Sequence, residues 1–444
     1  MRLWILICLT SYVATAQLKV STDGHYLTEQ DGTPVLLLSA AAWDFNNATL
    51  AKWQLYCDSA ATHHINLVEI RMMGHSVFCG PANIYGVNPW QGSQTFASTP
   101  TEAFWLHVDS LIDIAATKGI YCNLYPDYLN AYGGTPNYNT ETVNSSAAVM
   151  KAWGTYVGNR YKNKANVIWT IGGDLNPTSG VQTKLDSLVV GIIASGDTHL
   201  MSSREDQGTT SDDYWSTAAW HKIGGIYPYW NTYISERIYA WGYDQYNRTP
   251  IKPSRLQEAW YENEHATTSQ HQLLMQTWYP MLSGLLVGTN FGHCPVYRYG
   301  CATSCDVSET WEDKLNTQGY QNMTHLYDVM HGRNWWKLVP DTSNVVADSG
   351  YGTFGGQTYV TTAHASDSSW LISYMPTAHN IRIKLTFVKG DSVTCSWFNP
   401  TTGAITALGK KARASTTFSA PFADAVFIAD SFTNSTPRAP FVRR

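Results

Sequence analysis

Through the first 340 residues, short apolar runs rich in β-branched side chains alternate with longer stretches whose apolar residues recur at helical spacing. This alternation narrows the possible folds more than any other feature. Neighbouring parallel strands need a crossover of a dozen or more residues, and a helix is what usually fills it. Four runs read clearly as strands: Val35 to Leu38, Ile65 to Ile70, Ile120 to Tyr125 and Val167 to Ile171. Weaker runs follow at His199 to Ser203, Ile223 to Tyr227, Lys252 to Glu258 and Leu285 to Phe291. Thr101 to Thr117 and Ala147 to Tyr161 predict helices, and a last helix starts near Met323 and runs into Trp335-Trp336. Eight strands with helices between them predict an α/β fold, a closed (β/α)8 TIM barrel over residues 17–341.

After Leu338-Val339-Pro340-Asp341 the pattern changes to strands alone: Thr358 to Thr362, Trp370 to Tyr374, Ile381 to Phe387, Val393 to Trp397 and Ala425 to Ala429. Turn signals at Asn399-Pro400 and Thr402-Gly403 separate the last two, and a small all-β sandwich over residues 345–431 is expected. Residues 432–444, with Pro437, Pro440 and Arg443-Arg444, read as a disordered tail. Gly350-Tyr-Gly352-Thr-Phe-Gly355 matches a nucleotide-binding fingerprint in letters only. It neither follows a strand nor opens a helix, and is read as loop.

Met1-Arg2, the apolar run Leu3 to Leu9 and Ala14-Thr15-Ala16 have the order of a signal peptide over residues 1–16, with Gln17 beginning the mature chain. Cys8 lies inside the apolar run behind Ile7, a poor place for a lipidated cysteine, so secretion to the periplasm or the exterior is expected. No later stretch has the roughly 18 uninterrupted apolar residues that a membrane span requires.

The chain carries 18 Trp and 27 Tyr against 14% charged residues and a net charge of −5. Nucleic-acid binding needs a basic groove beside its aromatics, and this charge balance offers none. Rings without excess basic charge suit neutral sugars, so a polysaccharide or oligosaccharide is the expected partner, although any one ring is more often core. Seven cysteines remain beyond Cys8, an odd number that cannot all pair within one chain. Cys122 and Cys395 sit in strand-like runs as buried small hydrophobes. Cys294, Cys301 and Cys305 are open to a loop disulfide, free thiols or a metal site, but lack the close C-x2-C pair of common zinc sites.

Asn166-Val-Ile168-Trp169-Thr-Ile171-Gly172-Gly173-Asp174-Leu-Asn-Pro177 is the most informative segment. A strand runs into two glycines and then presents a carboxylate at its C-terminal end, where barrel enzymes keep their catalytic groups. A turn cap ahead of Pro177 is the plainer alternative. Glycoside hydrolysis needs a second carboxylate, and Lys252-Pro253 through Gln257-Glu258-Ala259-Trp260-Tyr261-Glu262 supplies two. Glu258 closes the seventh strand. Glu262 lies a helical turn further, and it, Glu264 and His265 read more simply as exposed charges. His63-His64 are expected at the surface. There is no H-E-x-x-H, G-x-S-x-G or G-x-x-x-x-G-K-[ST], and no cofactor or catalytic metal is expected.

Gly32-Thr-Pro34 through Trp43, Trp153-Gly-Thr-Tyr156-Val-Gly158-Asn-Arg160-Tyr161-Lys162 leading into Asp174, and Lys252 to Glu262 together resemble the apiosidase-like barrel of glycoside hydrolase family 140. So do Tyr279 to His293 and Trp335-Trp336-Lys-Leu-Val-Pro340. Ser369-Trp370 to Pro376 and Trp397-Phe-Asn-Pro400-Thr-Thr-Gly403 are similar to a small module labelled as collagen-binding. The resemblance spans roughly Leu18 to Ala429. It implies a hydrolase of plant cell wall glycans, of the pectin type, with Asp174 and Glu258 as the catalytic pair. Ser39-Ala-Ala-Ala-Trp43 stands where the family commonly has Gly-Asp-Thr-Ala-Trp, and Gln257-Glu258-Ala259 replaces Gly-Glu-Pro, which leaves the particular sugar open.

The resulting expectation is a glycosidase in which Asp174 donates a proton and Glu258 attacks the anomeric carbon. Trp43, Trp169 and Trp260 are expected to stack on sugar, with Tyr261, Glu262 and Asn290 as further substrate contacts. The alternative is a non-catalytic glycan- or matrix-binding protein on the same fold. Collagen proteolysis has neither a metal nor a nucleophile motif behind it.

Overall fold

Leu67-Val-Glu-Ile-Arg71 and Val167-Ile-Trp-Thr-Ile-Gly172 are buried along their whole length, as strands covered on both faces must be. A computed structural model describes residues 17–74, 79–129, 138–229, 234–264, 268–299 and 310–431. The expected signal peptide, the tail at 432–444, His265, Cys301 and Cys305 lie outside the described residues.

The eight barrel strands are β1 Leu37–Ala41, β2 Leu67–Arg71, β3 Tyr121–Tyr125, β4 Val167–Gly172, β5 Met201–Arg204, β6 His221–Tyr227, β7 Ser254–Leu256 and β8 Gly288–Phe291. Each pairs in parallel with the next, and β8 closes on β1 with Asn290 opposite Ser39. Closure depends on Gly288 (φ +145°). A Cβ there would stand 1.8 Å from the Leu37 carbonyl oxygen, so the strands meet only because no side chain intervenes.

Outside the strands lie α1 Leu50–Thr62, α2 Glu102–Thr117, α3 Ala147–Tyr161, α4 Ser179–Ala194, α5 Ile234–Tyr246, α6 Gln270–Leu282 and α7 Gln318–His331. Their starts are written locally. Thr49 and Ser146 accept the first-turn N–H groups of Lys52 and Val149, and Ser269 with Gln272 forms a capping box. His63 does not face solvent: its ring is buried against Tyr320, and His64 stacks on Tyr327 at 3.8 Å, because α7 covers the end of α1.

Inside the barrel the strands carry polar groups. Glu69, fully buried, accepts from Asn123 Nδ2 (2.6 Å), Tyr125 Oη (3.0 Å) and Arg255 Nη1 (2.6 Å), and Thr170 donates to Asn123 (2.7 Å). A buried carboxylate with three donors around it makes up for lost hydration and gives the site a stiff floor.

Beyond the barrel are β9 Leu338–Pro340, β10 Ala347–Ser349, β11 Thr361–Ala365, β12 Trp370–Met375, β13 Asn380–Lys384, β14 Ser392–Phe398, β15 Ile405–Ala412, β16 Ser415–Ser419 and β17 Ala425–Asp430. They form two antiparallel sheets, ordered β9-β11-β12-β17-β14-β15 and β10-β13-β16. The expected strand Ile381 to Phe387 ends at Lys384 and turns into a 3-10 helix. Strands β15 and β16, which pattern reading passes over, are mostly exposed. One apolar cluster runs from the barrel into the larger sheet through α6, which is buried from Leu273 to Leu282. Trp278 packs on Phe398 (5.9 Å between rings), Tyr279 donates to the Tyr359 carbonyl (2.9 Å), and Arg333 grips Asp430 with two nitrogens.

Cys79 and Cys294 each take part in a disulfide bond, while Cys57, Cys122 and Cys395 are buried free thiols. No described helix is long and apolar enough to cross a membrane.

Candidate active site

Strand β4 ends in a sharp turn that requires its glycines. Gly172, Gly173 and Asp174 have φ of +86°, +140° and +48°. A Cβ on Gly172 would lie 2.8 Å from the Arg204 carbonyl oxygen, and one on Gly173 would lie 2.7 Å from the Tyr128 ring. Aspartate is among the few side chains that tolerate the left-handed region, so Asp174 can complete the turn and point into the barrel mouth. Asp127, just past β3, accepts the Gly172 N–H at 3.3 Å from below.

Glu258 lies two residues beyond β7 and is 6% exposed. Arg204, the last residue of β5, donates from Nη2 to Asp174 Oδ1 (3.1 Å) and also to Glu258 Oε2. The two carboxylates therefore converge on one nitrogen, and their facing oxygens lie within the span of two hydrogen bonds, about 6 Å. Tyr128 Oη donates to Asp174 Oδ2 (2.5 Å) and Tyr227 Oη to Glu258 Oε1 (3.1 Å). The Arg204 guanidinium lies between rings, 4.3 Å from the Tyr227 centroid and 4.8 Å from that of Trp43.

Burial pushes the Glu258 carboxyl up to about 7; Arg204 opposes this, and the charges of Asp174 and Glu264 add to it. Burial also works against the charge on Arg204, but Glu258 and Asp174 outweigh it and hold the guanidinium protonated.

Around the pair is a pocket that opens to solvent. Its walls are the rings of Trp43, Tyr128, Tyr229, Tyr261 and Tyr297. Arg71, Glu264 and Arg298 supply further polar surface, and Arg71 is paired with Asp44. Among the described residues no cluster of His, Cys, Asp or Glu is arranged to hold a metal ion.

Of the residues singled out in the sequence, Asp174, Glu258, Trp43 and Tyr261 meet at this pocket, with Trp43 Nε1 donating to Tyr261 Oη at 3.0 Å. Trp169 does not. It is fully buried on the outer side of β4, where Nε1 donates to Asp197 (3.1 Å) and its ring meets Tyr161. Its neighbour Thr170 takes the inward position, as strand alternation demands. Trp260 is half-buried against the core and lines no part of the pocket. Glu262 turns away to the start of α7, accepting from Thr317 Oγ1 and the Gly319 N–H (3.3 Å), so it works as a helix cap. Asn290 is buried on β8 and donates to the Gln257 carbonyl, which braces the backbone beside Glu258.

Sequence reasoning missed Arg204, Tyr128, Tyr227 and Glu264. Arg204 and Tyr227 are the terminal residues of β5 and β6, so inspecting every strand end would have found them.

Residues 21–337 match the family described as "Apiosidase-like, catalytic domain", and residues 339–430 match "Putative collagen-binding domain of a collagenase". No curated protein is similar enough to count as a match. A solved structure named "Glycoside hydrolase" is similar with a TM-score of 0.80 at 20% identity, over 94% of this chain and 98% of the other. A glycoside hydrolase family 5 structure from Bacteroides vulgatus ATCC 8482 also reaches 0.80, at 22% identity over 93% of each chain. A family 39 glycoside hydrolase from Bacteroides cellulosilyticus WH2 reaches 0.56 at 10% identity, over 91% and 86%. At such identities the likeness speaks for the fold alone.

Proposed function

Starting from the premise that this chain belongs to the apiosidase-like catalytic-domain family, and is thus a glycoside hydrolase, we propose that it cleaves plant cell wall polysaccharide of the pectin type with Asp174 and Glu258. The observation that carries the residue assignment is their convergence on Arg204 Nη2 at the ends of β4 and β7. In this reading Asp174 protonates the glycosidic oxygen as the bond to the anomeric carbon breaks, and Glu258 attacks that carbon to form a glycosyl ester. Asp174 then takes a proton from water, and the water displaces Glu258. Facing oxygens within about 6 Å favour this retaining course over an inverting one, which wants roughly 6.5–9.5 Å between carboxyl groups for a water. Glu258 suits the nucleophile because Arg204 and Tyr227 hold its oxygens, and Asp174, the more exposed of the two, suits exchange of protons with solvent.

Reversed roles are the second reading, favoured by the raised proton affinity of Glu258. Non-catalytic glycan binding is weaker, since both carboxylates and their bridging arginine are assembled. Secretion is supported by disulfide-bonded Cys79 and Cys294, which suit an oxidising compartment. The test is release of reducing sugar from a panel of pectin fractions and other plant and host polysaccharides, with Asp174→Asn and Glu258→Gln as controls. Wild-type protein that releases sugar from host glycans but from no pectin fraction would overturn the substrate class. Undiminished release by either variant would overturn the site.

A further inference from the structure

Glu264 reads in the sequence as a surface charge, yet it stands half-buried in the pocket wall. Both of its oxygens are held: Tyr229 Oη donates to Oε2 (3.0 Å) and Tyr297 Oη to Oε1 (3.1 Å). Tyr297 is itself set between the Tyr261 ring (5.2 Å) and the Arg298 guanidinium (5.0 Å). A carboxylate oxygen has two acceptor positions, so each oxygen keeps one for another donor. Two anchored tyrosines fix the plane of the carboxylate, which is how a recognition group is held in place for a ligand. Glu264 lines the same pocket as Asp174 and Glu258.

Resting on the glycosidase reading above, we propose that Glu264 is a specificity-determining residue that accepts two neighbouring hydroxyls of a neutral sugar and turns away sugars bearing a carboxylate at that position. The pocket already holds the carboxyl groups of Asp174, Glu258 and Glu264, and a uronate would bring a fourth. Of the arginines around it, Arg204 is engaged by Asp174 and Glu258 and Arg71 by Asp44, while Arg298 lies over the Tyr297 ring. Like charges brought together are the usual means of rejecting a wrong ligand.

The test uses the full chain and the 4-nitrophenyl glycosides of neutral pentoses and hexoses beside the glucuronide and galacturonide. Wild-type protein is expected to turn over neutral glycosides in strong preference to uronides. Glu264→Gln should raise KM about tenfold or more, the loss expected for hydrogen bonds to a charged group, and should narrow the preference. In the same variant kcat should move by less than about threefold, because the lost contact is made in ground and transition states alike. Tyr297→Phe should shift KM the same way by less, and thermal melting of both variants checks that they fold. An unchanged KM and preference in Glu264→Gln, or equal use of uronides by the wild type, would overturn the proposal. Calorimetric binding of neutral oligosaccharides separates it from the reading it rests on. Glu264-dependent binding without turnover would refute the hydrolysis reading and support the hydroxyl-binding wall, whereas turnover that ignores Glu264 would do the reverse.

Discussion

Tyr128, three residues beyond β3, donates a 2.5 Å hydrogen bond to Asp174, two residues beyond β4, so one loop of the barrel mouth holds the carboxylate presented by the next. Tyr128→Phe removes that donor and little else. A hydrogen bond to a charged group contributes roughly 1.5–3 kcal/mol, so kcat on the best substrate is expected to fall about 10- to 100-fold. Steady-state kinetics with unaltered melting would show that positioning, and not folding, was lost.

Glu258 and Glu262 follow the same strand but face opposite ways. Glu258→Ala should cost several orders of magnitude in kcat, and azide or formate should restore turnover on an activated aryl glycoside, because a small anion fills the place of a missing nucleophile. Glu262→Ala should keep most of its kcat and lose about 1 kcal/mol of stability, as a lost helix cap does. Rescue of Asp174→Ala to an inverted adduct, with a retained adduct from Glu258→Ala, would reverse the roles. Rescue of Glu262→Ala alone would refute both assignments.

Because burial pushes Glu258 up to about 7, its ionised fraction in the free enzyme falls about tenfold for each unit that pH drops below that value. If Glu258 is the nucleophile, kcat/KM falls as pH drops below about 7; if it is the proton donor, kcat/KM falls as pH rises above about 7. For stability the sign is the one for a raised carboxyl. The native state binds this proton more tightly than the unfolded chain. The contribution is therefore complete below the ordinary glutamate range and lost as pH rises through about 7. Thermal melts of wild type and Glu258→Gln across that window should differ in slope in this direction.

The small β domain contributes no residue to the pocket among those described, yet Phe398 covers Trp278 of α6. Phe398→Ala should lower stability by about 3–5 kcal/mol through the cavity it leaves, with kcat on folded protein within a few-fold of wild type. Chemical unfolding beside kinetics checks this. A large loss of kcat without loss of stability would mean that the domain acts on the site directly.

Much of this protein is local in origin and therefore legible along the chain. The clearest barrel strands, β2, β3 and β4, coincide with largely apolar runs, because their outward faces must be buried under helices. Gly172-Gly173-Asp174 announces its turn because only glycine fits against Tyr128 and the Arg204 backbone. The same uniformity hides which face each residue takes. Trp169 and Thr170 are adjacent on β4, and only barrel closure decides that the threonine looks inward and the tryptophan outward. Arg204, Tyr227 and Glu264 come from separate strand ends and loops, and their partnership with Asp174 and Glu258 exists only once β6 and β7 have met. Local periodicity determined the strands and put two carboxylates at strand ends. The long-range closure of the barrel decided that one arginine would lie between them, since a charge so buried is tolerable only where distant segments bring it partners.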